Sequence, residues 1–308
     1  MLECKADGCP TIVFGENMKR TLLALVAIFW SSLALALQPY FYGDKVARGD
    51  TATVMQAVEA KLTRSGFTVV GRYSPQGLPS YGVIVVTDPD LLRMIGQFGG
   101  ATIVGAGIRV GVRNDGTVSY INPEYWQRAY LRKHFGGGAG GTVNAIQGRL
   151  QRALGAGKPF GGEVEKRDLP DYQYMFGMET FESDKNQVGE SLSFDEMVKV
   201  IQKNLGRGVA RTSKVYEVIM PEKKIAVFGV AMNDPREGEG WWVKEVHDEH
   251  IAALPYEIFV VGNKAYHLFA RYRIALAWPD TGMGTFMRIV ETPQVIQDTL
   301  KAVAGTAK

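Results

Sequence analysis

The sequence predicts an α+β fold made of two tandem α-β-β-α-β-β-α domains, each an antiparallel-rich sheet with helices packed on one face. Three observations point to it. Apolar residues switch between helical and strand spacing in the same order on both sides of a Gly-rich break at Gly136–Gly141. Asn114-Asp115-Gly116 is a hairpin turn signal between two β-rich runs. Asn122-Pro123 and Thr292-Pro293 each open a helix at the matching end of a half.

In the first half, Thr51 to Ser65 reads as a helix with Val54, Val58 and Leu62 on one face. Phe67–Tyr73 and Gly82–Thr87 are β-rich. Asp88-Pro89-Asp90 starts a second helix that runs to Phe98. Ile108–Arg113 and Thr117–Ile121 form the hairpin, and Asn122 caps the helix through Arg132. The break is followed by a helical stretch, Thr142–Leu154, so 136–170 reads as a linker carrying one short helix.

The second half begins with a helix over Ser193–Leu205, opened by the capping box Ser193 to Glu196. Val215–Met220 and Lys223–Val230 read as strands around Pro221. Val243–Leu254 reads as a helix, and Tyr256–Val261 and Ala265–Trp278 as strands around Gly262-Asn263. Insertions at Asn233–Gly240 and Asp280–Glu291 lengthen this half.

The organisation read from these signals is an upstream extension over 1–17, a leader over 18–36, a first domain over 37–135, the linker, and a second domain over 171–308. Met18–Ala36 has the form of a secretory signal peptide: Lys19 and Arg20, an apolar run from Leu22, then Ala34-Leu35-Ala36 for cleavage. Gly15-Glu16-Asn17 could be encoded as a ribosome-binding site ahead of Met18, which suggests a bacterial gene with an over-extended start. The expected location is therefore periplasmic or secreted, with no membrane span left after cleavage. Both cysteines, Cys4 and Cys9, precede the leader, so the exported chain holds no thiol. A net charge of +3 with interspersed signs gives no basic block for nucleic acid.

The first half resembles a bacterial family called domain of unknown function three-oh-two. The residues that carry the likeness are Gly66-Phe67-Thr68-Val69, the Val83–Pro89 step, Ile108-Arg109-Val110-Gly111-Val112, Asp115–Tyr120 and Asn122-Pro123. In the second half, Leu254-Pro255-Tyr256-Glu257-Ile258 is similar to the family's leucine-proline step before an apolar strand. The first half has Gly107 there, and the second half has Gly208-Val209 in place of Gly-Phe. The resemblance implies a compact α+β fold that often pairs through its sheet. It implies no reaction and no catalytic residues.

Several motifs are excluded. Gly105-Ala106-Gly107 lacks the third glycine of a dinucleotide fingerprint, and Gly157-Lys158 lacks the leading glycine of a phosphate loop. No nucleophile elbow is present.

Three groups of residues remain. His247 and His250, spaced to share one helical face, point toward the sheet and could hold a metal ion (copper or zinc) or a haem group. The alternative reading has both rings capping the edge of the core. On the strand expected at Ala265–Trp278, alternation sets His267, Phe269, Arg271 and Arg273 on one cationic face, suited to an anion or to a partner's acidic surface. Trp241, beside Trp242 and after Arg236–Gly240, would line a lip next to the His helix. Met175, Met178, Met283 and Met287 add a weaker copper signal. The expected function is an exported, non-catalytic binding or accessory protein. A periplasmic enzyme with histidine acid-base chemistry is the alternative, as is an assembly protein that forms homo-oligomers or joins a periplasmic partner.

Overall fold

Asp50, Asp88 and Asn122 each turn a side-chain oxygen back onto the first free N–H groups of a helix, which sets where three helices of the first half begin. In this computed structural model residues 36–306 are described. The extension expected over 1–17 and the leader over 18–36 lie outside those residues, Ala36 excepted. The fold is α+β.

The first half runs β1 (Tyr40–Tyr42), α1 (Thr51–Arg64), β2 (Thr68–Tyr73), β3 (Tyr81–Thr87), α2 (Pro89–Phe98), a 3₁₀ segment (Gly100–Ala106), β4 (Ile108–Arg113), β5 (Val118–Ile121) and α3 (Pro123–Leu131). Then come α4 (Gly140–Leu154) and β6 (Pro159–Phe160). Antiparallel pairing gives a six-stranded sheet in the order β2-β3-β4-β5-β1-β6. The aromatic N-terminal run Tyr40–Tyr42 is thus an inner strand, and the region read as a linker supplies β6. Gly116 takes a φ of 86° to close the β4–β5 turn, and an added Cβ there would lie 2.1 Å from the Val46 carbonyl oxygen.

The second half runs β7 (Gln187–Glu190), α5 (Phe194–Gly206), β8 (Thr212–Met220), β9 (Ile225–Met232), α6 (Glu239–Val246), a 3₁₀ segment (Asp248–Ala253), β10 (Tyr256–Val261), β11 (Lys264–Tyr266), α7 (Ala270–Ala277), α8 (Met283–Arg288) and α9 (Thr292–Val303). Its antiparallel sheet has the order β8-β9-β10-β11-β7. The order helix, two strands, helix, 3₁₀ segment, two strands, helix therefore occurs twice.

Two expectations are corrected. The helix expected over Val243–Leu254 stops at Val246, because His247 is extended at φ −167°, and the chain resumes as the 3₁₀ segment. The strand expected over Ala265–Trp278 ends at Tyr266, and Ala270–Ala277 is a helix. Alternation is a poor guide there because nearly every residue of α7 is buried, so neither period shows. Three tyrosines from outside the second sheet hold that helix end. Tyr172, Tyr125 and Tyr40 donate their hydroxyls to the carbonyls of Ala275, Leu276 and Ala277 at 3.1, 2.8 and 2.9 Å. Those carbonyls belong to the last turn, where no helical N–H follows to meet them.

The halves pack into each other reciprocally. Gly100–Ala106 lies against β9 and β10 of the second sheet, while Asp248–Ala253 lies against β4 and β5 of the first. Gly111 makes room for the latter: an added Cβ would sit 2.3 Å from Ile251 Cγ2. On the opposite face of the same sheet, Gly82 admits Met55 of α1, 2.3 Å from where a Cβ would stand. From Leu37 onward the described residues form one compact unit with a continuous apolar core.

At the centre of this packing sit three buried charges. Arg109, second residue of β4, and Glu257, second residue of β10, form an ion pair, and Arg273 of α7 reaches the same carboxylate at 3.2 Å. All three are almost fully buried. Arg109 Nε also donates to the Ala252 carbonyl at 3.1 Å, and Arg273 to that of Ala253 at 2.7 Å. Trp126 of α3 lies between the guanidinium groups, with its ring 4.5 Å from Arg109 and 4.8 Å from Arg273. Burial works against charge on Arg273, but the Glu257 carboxylate together with the Tyr130, Tyr40 and Tyr256 hydroxyls outweighs it and raises the pKa.

Candidate functional site

The residues singled out in the sequence do not converge. His250 is buried and boxed by Tyr40, Phe160 and Trp278, with ring centroids 5.0, 5.6 and 5.8 Å away. Its Nδ1 lies 3.3 Å from the Ala277 carbonyl oxygen. His247 is exposed and its ring stacks on His250 at 5.9 Å, so the pair shares no helical face. His267 is completely buried, and neither ring nitrogen has a hydrogen-bond partner among the described residues. Arg271 is paired with Glu179, and burial, which would raise that carboxyl, is outweighed by Arg271 and Lys185, so its pKa falls to about 2. Arg273 belongs to the central charge cluster, so the single cationic face expected for His267, Phe269, Arg271 and Arg273 does not exist. Trp242 is core against Trp278, whereas Trp241 keeps 38% of its surface. Among the described residues no group of three or more His, Cys, Asp or Glu is placed to hold a metal ion.

The two buried histidines have a consequence for stability. Burial pushes His250 down to about 4 and His267 down to about 3. Both rings stay neutral in the folded chain, whereas the unfolded chain takes up the protons near pH 6.5. Stability is therefore full above pH 6.5 and falls as the pH drops toward 4. Urea unfolding at pH 7 and pH 4.5 is expected to differ by roughly 5 kcal/mol. The double variant His250→Phe, His267→Leu should flatten this limb, and an unchanged limb would locate the acid sensitivity elsewhere.

A cleft of about 300 Å³ lies instead where the second half's 3₁₀ segment crosses the first sheet. Its lining comes from four separated places in the chain. Tyr42 ends β1, and Lys45 follows in a stretch held to the β4–β5 turn by Gly43 N–H to Val118 O at 2.9 Å and Val46 N–H to Gly116 O at 3.0 Å. Tyr81 starts β3, paired with Arg113 at the end of β4. Glu249 and Ile251 come from the 3₁₀ segment. Thr117 and Ser119 add hydroxyls to the wall.

The charges of the cleft are unevenly matched. Arg113 is paired with Asp115. Glu249 accepts the Tyr42 hydroxyl at 3.3 Å and pairs with no described cation, and Lys45 pairs with no described acid. Partial burial raises the Tyr42 pKa, and the Glu249 charge raises it further. Burial likewise raises that of Tyr81. Both phenols therefore remain neutral donors at neutral pH, facing an acceptor, a free ammonium group and an apolar floor. This arrangement suits non-covalent recognition of a small polar molecule.

Sequence reasoning missed this cleft. No local motif links positions 42, 45, 81, 113 and 249, since only the reciprocal packing brings them together. Compared with protein-family models, curated proteins and solved structures, the chain matches none of them.

Proposed function

We propose that this protein is an exported, non-catalytic binding protein whose small-molecule site is the cleft between the first sheet and the second half's 3₁₀ segment. The observation that carries the reading is the cleft itself: about 300 Å³, at the lower end of the range for ligand sites, with donors and acceptors set around apolar walls. The leader read over Met18–Ala36 supports export. The non-catalytic part rests on the histidines: His250 and His267 are enclosed by the core and lie outside the cleft.

Thr117→Trp tests the site, because it places an indole in the cleft from a half-buried wall position. A set of small polar compounds is screened by thermal shift. A ligand at 100 times its Kd stabilises the native state by about 2.7 kcal/mol. The expected result is at least one compound that raises the wild-type Tm by several degrees and leaves the variant unmoved. A set to which both proteins respond alike, or neither responds, speaks against this cleft as a ligand site.

A further inference from the structure

We infer that the cleft takes a zwitterion, with Lys45 receiving the ligand's carboxylate and Glu249 its ammonium group. This rests on the cleft being a ligand site and adds the chemical class of what fills it. Two charges in the cleft do not meet. Lys45 and Glu249 line one cleft, yet their charged atoms lie more than 4.0 Å apart and neither forms an ion pair with another described residue. Of the other charges nearby, Arg113 pairs with Asp115, and Asp248 lies against Tyr81. Among the described lining residues the cleft thus offers one free cation, Lys45, and one free carboxylate, Glu249.

A molecule carrying both signs answers both groups at once. A purely anionic ligand would leave Glu249 facing it, and a purely cationic one would leave Lys45 facing it. Each mismatch costs binding energy, which is how a site rejects the wrong charge. The Glu249 end is also the aromatic end, because Tyr42 bonds that carboxylate. An ammonium group there meets the carboxylate beside the Tyr42 hydroxyl. Thr117 lies where the Gly43–Val46 stretch runs along the β4–β5 turn, so its hydroxyl can donate to the ligand carboxylate beside Lys45. Ile251 supplies apolar floor between these groups. Free α-amino acids and betaines have this pattern.

The test uses isothermal titration of the full exported chain with three related sets of probes. L-leucine, L-tyrosine and glycine betaine carry both charges. N-acetyl-L-leucine lacks the ammonium group, and L-leucine amide lacks the carboxylate. At least one zwitterion is expected to bind, and the matching blocked compounds to bind at least tenfold more weakly. Glu249→Gln should weaken the zwitterion but bring the N-acetyl compound level with it. Lys45→Met should do the same for the amide. Both substitutions sit on exposed side chains, so folding is expected to survive, and circular dichroism checks that. If N-acetyl-leucine or the amide binds as tightly as leucine, and Thr117→Trp abolishes that binding, the zwitterion inference fails while the cleft stands as a ligand site. If no zwitterion binds but an unrelated compound does so in a Thr117→Trp-sensitive way, the inference also fails alone. If nothing binds in a way that Thr117→Trp removes, both fall.

Discussion

Glu257→Gln is expected to destabilise the fold by about 3–5 kcal/mol, the cost of removing one partner from a buried ion pair. The substitution is nearly isosteric, so lost packing contributes little. What changes is charge: the guanidinium groups of Arg109 and Arg273 stay buried against Trp126 with no carboxylate between them. Arg109 Nη2 already lacks a hydrogen-bond partner among the described residues, which leaves the cluster little reserve. Denaturant unfolding should show a large drop in midpoint, accompanied by a fall of roughly 10 °C in Tm. The cost comes from isolation of charge, not from the pair as such. Replacing all three charges together, Arg109→Met, Glu257→Leu and Arg273→Met, should therefore lose far less than the single change. If the triple variant is as damaged as Glu257→Gln, this explanation is wrong.

Gly229→Ala is expected to cost about 3 kcal/mol, at the upper end for overpacking. An added Cβ would lie 2.2 Å from Tyr216 Cδ1 and 2.8 Å from Pro255 Cγ. Tyr216 has little room to swing away, because an added Cβ at Gly107 would lie 2.9 Å from its hydroxyl, and one at Gly71 would lie 2.7 Å from its Cβ and 2.4 Å from the Val215 carbonyl oxygen. Gly229 and Gly107 thus flank the ring, and Gly71 the chain that carries it. The effect should couple to the ring itself. In the background Tyr216→Ala, which removes the two ring atoms nearest the new methyl group, the added cost of Gly229→Ala should fall by half or more. Additive costs in the double variant would mean that the ring is not what the methyl group meets.

Local signals account for the elements that formed where expected. Asp88, Asn122 and Ser193 are caps that name their helices without help from the rest of the fold. Glu196, expected to complete the capping box, does turn back, but to the Leu192 N–H at 3.0 Å. The failures fall where distant residues decide. Helix α7 depends on three tyrosine hydroxyls from positions 40, 125 and 172, which no window around Ala270 contains. The break at His247 follows from packing the 3₁₀ segment onto the other half's sheet, with the Trp278 indole donating to the His247 carbonyl at 3.0 Å. The site suffered the same way. Histidines drew attention as reactive residue types, yet burial consumed two of them, while the cleft is made of Tyr, Lys, Arg and Glu that look ordinary one at a time.

The central claim is that the halves interlock into one body and that this interlocking builds the cleft. Scanning calorimetry of residues 37–308 tests it most directly. The account predicts one cooperative transition, with calorimetric and van't Hoff enthalpies equal, that Glu257→Gln moves as a whole to lower temperature. Two transitions, only one of which responds to Glu257→Gln, would contradict it.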